Sequence, residues 1–424
     1  MSEVQSRPDP GVVAAGARGV EANQRAASDA LLGVAAASGM RRVVILLWRD
    51  IADPDAGGSE MHADHIARQW AEAGIDVTMR TSSPSGHMEV EERGGYRVVR
   101  RSSRMSVFAT SIRDQLFGRL GPSDGVLEVW NGVPYLSPLW CRQPHVTFIH
   151  HVHREMWDLT LPPRLATFGR LLEQRIAPPF YRRSRVLTPS ATSKQCIVDY
   201  LRLPAANISV VEPGVDPVFT PGGPRSPDPT ILAVGRLVPY KRVHKLIDMM
   251  SLVRQHVPRA RLVIVGDGHQ RPALERLIDE RDARAHVDLR GRISDAELVT
   301  AYRSAWVLTS ASIAEGWGLT ITEAAACGTP AVVSRVGGHC DAVDENTSGL
   351  LATTDDDLVA GLVRVLEDDG LRRRLADGAL MGAANRTWAA TSLRVLEALA
   401  AASDDRRSRS RRRAVGPIAG LRNR

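Results

Sequence analysis

Thr309-Ser310-Ala311-Ser312-Ile313-Ala314-Glu315-Gly316-Trp317-Gly318-Leu319-Thr320-Ile321-Thr322-Glu323-Ala324-Ala325-Ala326-Cys327-Gly328-Thr329-Pro330 is the stretch whose reading decides the fold. The apolar run entering it, Ala305 to Leu308, reads as a buried strand, and Ser and Gly residues then mark a loop. Leu319 to Cys327 reads as a short helix stopped by Gly328 and Pro330. Gly316 and Gly318 let a ligand come close to the backbone, where free N–H groups and the helix dipole favour an anion. Glu315 and Glu323 bracket the turn, so one loop offers amides to a phosphate and carboxylates to hydroxyl groups. The plainer alternative makes them a solvated loop residue and a helix-surface charge.

Outward from this stretch, 424 residues suffice for two domains with full cores. The four cysteines are scattered with no CxxC pair, which points to reduced thiols rather than a disulfide frame or zinc site. No apolar run approaches the roughly 20 residues a membrane span needs, and the first residues lack the features of an export signal, so the expectation is a cytoplasmic chain. The net charge of +7 owes much to the run Arg406 to Arg413. Without interleaved aromatics that run reads as a solvated, disordered tail (403–424), with peripheral contact to an anionic membrane as its secondary role and nucleic acid disfavoured. Residues 1–39, rich in Ala, Gly and Ser without sustained periodicity, read as a second disordered tail.

Between the tails the chain alternates strand and helix. Val43 to Leu47 is a buried strand leading through Asp53-Pro54-Asp55-Ala56-Gly57-Gly58-Ser59 into a helix with Ala63, Ile66, Ala67 and Trp70 at helical spacing. The strand Asp76 to Arg80 completes a βαβ unit whose glycine loop faces the ligand crevice of an open sheet. Further strands are read at Tyr96 to Arg100, Val126 to Val129, His145 to Ile149, Arg185 to Thr188 and Ile208 to Val211. One of them runs into His150-His151-Val152-His153, a polar crevice edge rather than a metal site, because no carboxylate or cysteine lies at ligand spacing. A Pro/Gly-rich segment at 220–229 marks a hinge between an N-terminal domain (40–219) and a C-terminal one (230–388). The second series opens with Gly235-Arg236-Leu237 and Lys241, in which Arg236 and Lys241 can clamp phosphates.

Four ordered motifs then reach a family. Gly235-Arg236-Leu237…Lys241, Val265-Gly266-Asp267-Gly268, the Glu315…Glu323 stretch, and Val336-Gly337-Gly338 followed by Ser348-Gly349-Leu350-Leu351 together resemble the retaining nucleotide-sugar glycosyltransferases of family 4. The pattern departs at Arg242, where glycine usually follows the lysine. The resemblance implies an α/β GT-B fold: two Rossmann-like domains facing across a cleft, acceptor on the N-terminal side and donor on the C-terminal side, with a helix at 389–402 crossing back.

By the same resemblance Arg236 and Lys241 hold the donor diphosphate, with Gly57, Gly58 and the Gly316-Trp317-Gly318-Leu319 turn beside it. Glu323 meets the ribose and Glu315 the sugar hydroxyls, while His150, with His153 as rival, is the catalytic-site histidine. The implied activity moves a hexose-type sugar from a nucleoside diphosphate to a hydroxyl of a glycan, lipid or small-molecule acceptor. Transfer is expected on one face of the sugar without metal or other cofactor, because fixed cations and amides can compensate the leaving charge. Asp53-Pro54-Asp55 and Asp355-Asp356-Asp357 offer acidic clusters that could mislead on this point. Other readings are a sugar-nucleotide-binding protein, a hydrolase or epimerase on the same fold, and a nucleic-acid-binding protein acting through the basic tail.

Overall fold

The computed structural model describes residues 10–84, 86–154 and 156–415. Two sheets organise them. The first contains β1 (Arg42–Leu46), β2 (Asp76–Thr81), β3 (Val90–Arg93), β4 (Tyr96–Arg100), β5 (Gly125–Trp130), β6 (His145–Ile149), β7 (Arg185–Thr188) and β8 (Ile208–Val210). Their order is β3-β4-β2-β1-β5-β6-β7-β8, with β3 antiparallel to β4 and the other pairings parallel. The second contains β9 (Thr230–Val234), β10 (Arg261–Val265), β11 (Val287–Gly291), β12 (Val307–Ser310), β13 (Ala331–Ser334) and β14 (Gly349–Ala352), parallel throughout in the order β11-β10-β9-β12-β13-β14. The helices used below are α1 (Pro10–Ser38), α2 (Gly58–Glu72), α3 (Pro163–Leu171), α4 (Ala191–Cys196), α5 (Leu319–Ala326), α6 (Gly337–Ala342) and α7 (Trp388–Val415).

Strands buried on both faces read as near-continuous apolar runs, and side-chain alternation sends successive residues to opposite layers. Ile231, Ala233, Leu262 and Ile264 thus join one core beneath the second sheet, whereas Leu232, Val263 and Leu308 join the core above it with Ile321 and Ala324 of α5. In the first sheet, Val43, Ile45 and Val129 pack with Ala63, Ile66, Ala67 and Trp70 of α2. Helix α7 completes that same core with Val395, Leu396 and Leu399. No helix among the described residues is long and apolar enough to cross a membrane.

Within both segments read as tails, nearly all the described residues are helical. Residues 10–38 form α1, whose Leu31 is buried in the N-terminal core and whose Asn23 donates to Asn385 Oδ1 at 2.9 Å. An alanine-rich segment lacks an obvious apolar stripe yet has high helix propensity, and a docking partner supplies the rest. The basic segment continues α7 as far as Val415, and Asp405 accepts from Arg185 at 2.8 Å. The remainders of both expected tails, 1–9 and 416–424, lie outside the described residues.

Arg225 sits inside the Pro/Gly-rich segment, but it is buried and donates to the Ala305 and Gly328 carbonyls and to Thr329 Oγ1. That part of the linker is therefore fixed to the C-terminal domain. Nearer the crossing, Val215 bridges to Thr387, and its amide donates to Arg386 O at 3.1 Å.

Candidate active site

In the strand order β10-β9-β12, the helix that follows β9 packs on one layer and α5, which follows β12, on the other. The two loops diverge and leave a crevice at the strand C-termini. Lys241 arrives on the β9 loop and Glu315 on the β12 loop, and the two form an ion pair. Ser312 Oγ donates to Glu315 Oε1 at 2.8 Å, and His339 Nε2 stands 3.9 Å from the same oxygen. Burial pushes the Glu315 carboxyl up, but the Lys241 ammonium, His339 and Ser312 more than offset it, holding it below the usual carboxylate range. Burial likewise opposes the Lys241 charge, and Glu315 reverses the balance.

Helix α5 starts at Gly318 with φ +116°, a left-handed conformation suited to glycine, and no side chain caps it. The Ile321 amide donates back to Gly318 O at 2.9 Å, while no side chain caps the Leu319 and Thr320 amides, where the helix dipole favours an anion. Glu323, one turn later, accepts from Tyr302 Oη at 2.6 Å. Burial raises its carboxyl to about 7, with the Tyr302 hydrogen bond offsetting part of the rise. The two carboxylates thus have separate partners and separate charge states.

The N-terminal domain meets this edge directly. Arg236 donates to Tyr240 Oη at 2.6 Å and to the Asp55 carbonyl at 3.3 Å, and its Nε lies 3.1 Å from where a Cβ on Gly57 would stand. Leu319 covers Gly58 in the same way, at 3.3 Å. Behind the glycines, buried Glu60 accepts from Gly57 N at 2.8 Å, Arg49 Nε at 2.9 Å and Trp48 Nε1 at 3.1 Å, which shapes the loop. Across the cleft, a side chain on Gly316 would overlap the His150 carbonyl, and Ser193 Oγ at the start of α4 donates to Gly316 O at 3.2 Å. Asp341 on α6 accepts from the Ala191 and Thr192 amides, each at 3.2 Å.

His150 is buried, and neither ring nitrogen has a hydrogen-bond partner among the described residues. Burial pushes its imidazole down to about 4, so it is neutral at pH 7 with a free donor and a free acceptor. Its ring packs edge-on against His62 at 4.8 Å and against Phe148 at 4.6 Å. His153 is tied back instead: its amide donates to Glu173 Oε1 at 3.0 Å, and its ring stacks between His151 at 4.5 Å and Trp157 at 4.8 Å.

Gly57, Gly58, His150, Arg236, Lys241, Glu315, Gly316, Gly318, Leu319 and Glu323 accordingly line or adjoin the meeting edges of the two domains. Trp317 does not present its ring there; the indole is buried in the core with Ile321 and Ala324, leaving its backbone alone near the cleft. His153 belongs to the supporting structure. Arg242 takes φ +51°, which explains why glycine suits that position, and its guanidinium is held by Asp355. Reading the residues missed Glu60, Ser193, Tyr302 and His339. Glu60 carried a signal, three residues after the turn glycine Gly57, and His339 directly follows the quoted Val336-Gly337-Gly338 motif.

Comparison with known proteins agrees with this geometry. Glycosyltransferase Family 4 matches residues 56–219, and Glycosyl transferases group 1 matches residues 219–380, meeting where the chain crosses between domains. A D-inositol 3-phosphate glycosyltransferase of Frankia alni is 29% identical over 385 residues, spanning 81% of this chain and 94% of that protein. Sucrose-phosphate synthase from Thermosynechococcus elongatus superposes with a TM-score of 0.69 at 20% identity, over 88% of this chain and 100% of that one. Anabaena Alr3699/HepE in complex with UDP-glucose superposes with a TM-score of 0.68 at 18% identity, over 85% and 99%. The architecture is the GT-B fold.

Proposed function

The chain belongs to the group 1, family 4 glycosyltransferases, and from that premise we propose that it moves a hexose from a nucleoside diphosphate to an acceptor hydroxyl with retention of configuration. The observation that carries the donor side is the placing of Arg236, Lys241 and the uncapped amides of α5 around one crevice, facing the Gly57-Gly58 loop. Lys241 has three N–H donors and Glu315 takes one, which leaves the others for a phosphate oxygen. Glu315 both fixes that ammonium and offers its second oxygen to sugar hydroxyls, and Glu323 accepts from the ribose.

Because Glu315 is held ionised by Lys241 while Glu323 is engaged by Tyr302, the two do not serve as the close acid and nucleophile pair of a two-step mechanism. In the proposed step the anomeric carbon–phosphate oxygen bond breaks and the acceptor oxygen attacks from the same face. The acceptor proton passes to the departing diphosphate, whose charge the fixed cations and amides compensate. His150, neutral, orients the sugar through its free ring nitrogens. Metal independence is supported by the occupation of the acidic clusters: Arg104 engages Asp53 and Asp55, and Arg242 and Lys245 engage Asp355.

The acceptor is proposed as a hydroxyl of a glycan, lipid or phosphorylated polyol, the last on the strength of the relative's printed name. A panel of sugar nucleotides tests the whole: the purified chain should release nucleoside diphosphate from one of them in an acceptor-dependent way, and the product should keep the donor's anomeric configuration. No donor binding across the panel, or an inverted product, would sink the proposal.

A further inference from the structure

Helix α3, the π-turn Leu172–Ile176 and the short helix Pro178–Tyr181 form one winding segment beside the histidine strand end. Its inner face has helical spacing: Ala166, Gly169, Glu173, Ala177 and Tyr181 are buried. Glu173 turns inward, accepting from His153 N at 3.0 Å and Trp157 Nε1 at 2.9 Å. The outer face carries Leu165, Phe168, Leu171, Ile176 and Phe180, exposed by between 42% (Ile176, Phe180) and 58% (Phe168). Large apolar side chains gathered on one exposed face of a soluble chain mark a surface meant to be covered.

Charge identifies the cover. Glu173 is the sole acid between residues 163 and 183, and it is buried beneath the segment. Arg164, Arg175, Arg182 and Arg183 are exposed and form no ion pair among the described residues. A second copy packed face to face would bring arginine against arginine. Guanidinium groups, weakly hydrated and suited to phosphate oxygens, instead match an anionic headgroup layer while the apolar side chains enter the acyl boundary.

We propose that this face docks the protein on an anionic lipid surface. The segment that holds His153 and Trp157 from behind would then lie at the bilayer, which sets the acceptor side of the cleft next to lipid. Docking goes beyond the transfer reaction and is read without turnover, so its failure would leave the transfer reading standing.

The test is sedimentation of the full chain with vesicles of equal phosphatidylglycerol and phosphatidylcholine, against vesicles of phosphatidylcholine alone. Wild type should bind the first and bind the second at least roughly tenfold more weakly. Phe168→Asp/Leu171→Asp should lower binding to anionic vesicles by roughly tenfold or more, with an unchanged melting temperature because both side chains are exposed. Should that variant fold poorly, Arg175→Glu/Arg183→Glu tests the same face by charge alone, with the same loss expected. Wild-type binding by a folded variant would place the contact elsewhere and overturn the proposal. So would equal binding to neutral vesicles, or light scattering that shows a dimer which Phe168→Asp converts to monomer.

Discussion

Replacing Lys241 by methionine separates what the ammonium does for the fold from what it does for the donor. Its side chain is 21% exposed and that of Glu315 is 13% exposed. Removing one partner of a fully buried pair costs about 3–5 kcal/mol; the residual water contact here brings the expected loss of stability to about 2–3 kcal/mol. The carboxyl left behind loses the charge that holds it down, so burial raises it. Since the folded carboxyl of wild type lies below its ordinary value, its contribution is complete well above that value and disappears as pH falls through the folded pKa. Lys241→Met should reverse the slope of that contribution, since a raised carboxyl favours the fold as pH falls. Loss of a charge-assisted phosphate contact adds about 1.5–3 kcal/mol to donor binding, roughly a tenfold to hundredfold rise in Kd.

Glu315→Gln on top of Lys241→Met removes the pair together, which should recover at least about 1 kcal/mol of stability without restoring donor affinity. Urea titrations from pH 4 to 8 and calorimetric titration with nucleoside diphosphate read the two effects apart. Strictly additive stabilities would show that the pair is not coupled. Unchanged donor affinity in Lys241→Met would remove Lys241 from the phosphate site.

Four further outcomes are expected. With Glu323 near 7, donor Kd should rise roughly tenfold between pH 8 and pH 6 as protonation removes an acceptor, and Glu323→Gln should abolish the dependence; a flat wild-type profile in calorimetry refutes the ribose role. His150→Ala should lower kcat at least about tenfold, whereas His153→Ala, which unpacks Trp157, should chiefly lower the melting temperature, and the reverse ranking would exchange their roles. Turnover should persist in excess chelator; complete loss restored by magnesium or manganese would overturn the fixed-cation account. Arg242→Ala keeps the left-handed strain and loses Asp355, so it should cost about 1–2 kcal/mol, while Arg242→Gly should stay within about 1 kcal/mol of wild type in urea denaturation.

Most of the second sheet was legible because its strands are continuous apolar runs cut by glycine turns: Ile231 to Val234 and Leu262 to Val265 read directly. β3, with the composition Val-Glu-Glu-Arg, escaped, since an antiparallel edge strand carries charge and lacks the apolar signature. Helix α1 escaped because alanine favours helix without marking a face. At the site, residues on the strand-end loops were legible from their motifs, whereas Tyr302 and Ser193 were not. Each reaches its partner from another element, Tyr302 to Glu323 and Ser193 to Gly316, and no local spacing encodes such a meeting.

The way α7 closes the N-terminal core has a consequence for the order of events during synthesis. Leu399 fits so closely that a side chain on Gly125 would come within 2.8 Å of it. The first sheet is translated early, yet part of its core is α7, which is translated after the second sheet, so the emerging N-terminal half is expected to wait with Val43, Ile45 and Val129 incompletely covered. The second sheet has no such debt to later sequence beyond the helices that follow it, and it can mature first despite its later start. Contacts that join the two ends of a chain form slowly and leave apolar surface open meanwhile. Pulse proteolysis of ribosome-bound chains should find residues 230–385 resistant before 40–219, and protection of the earlier half ahead of residue 399's emergence would show that α7 is a late ornament rather than a keystone.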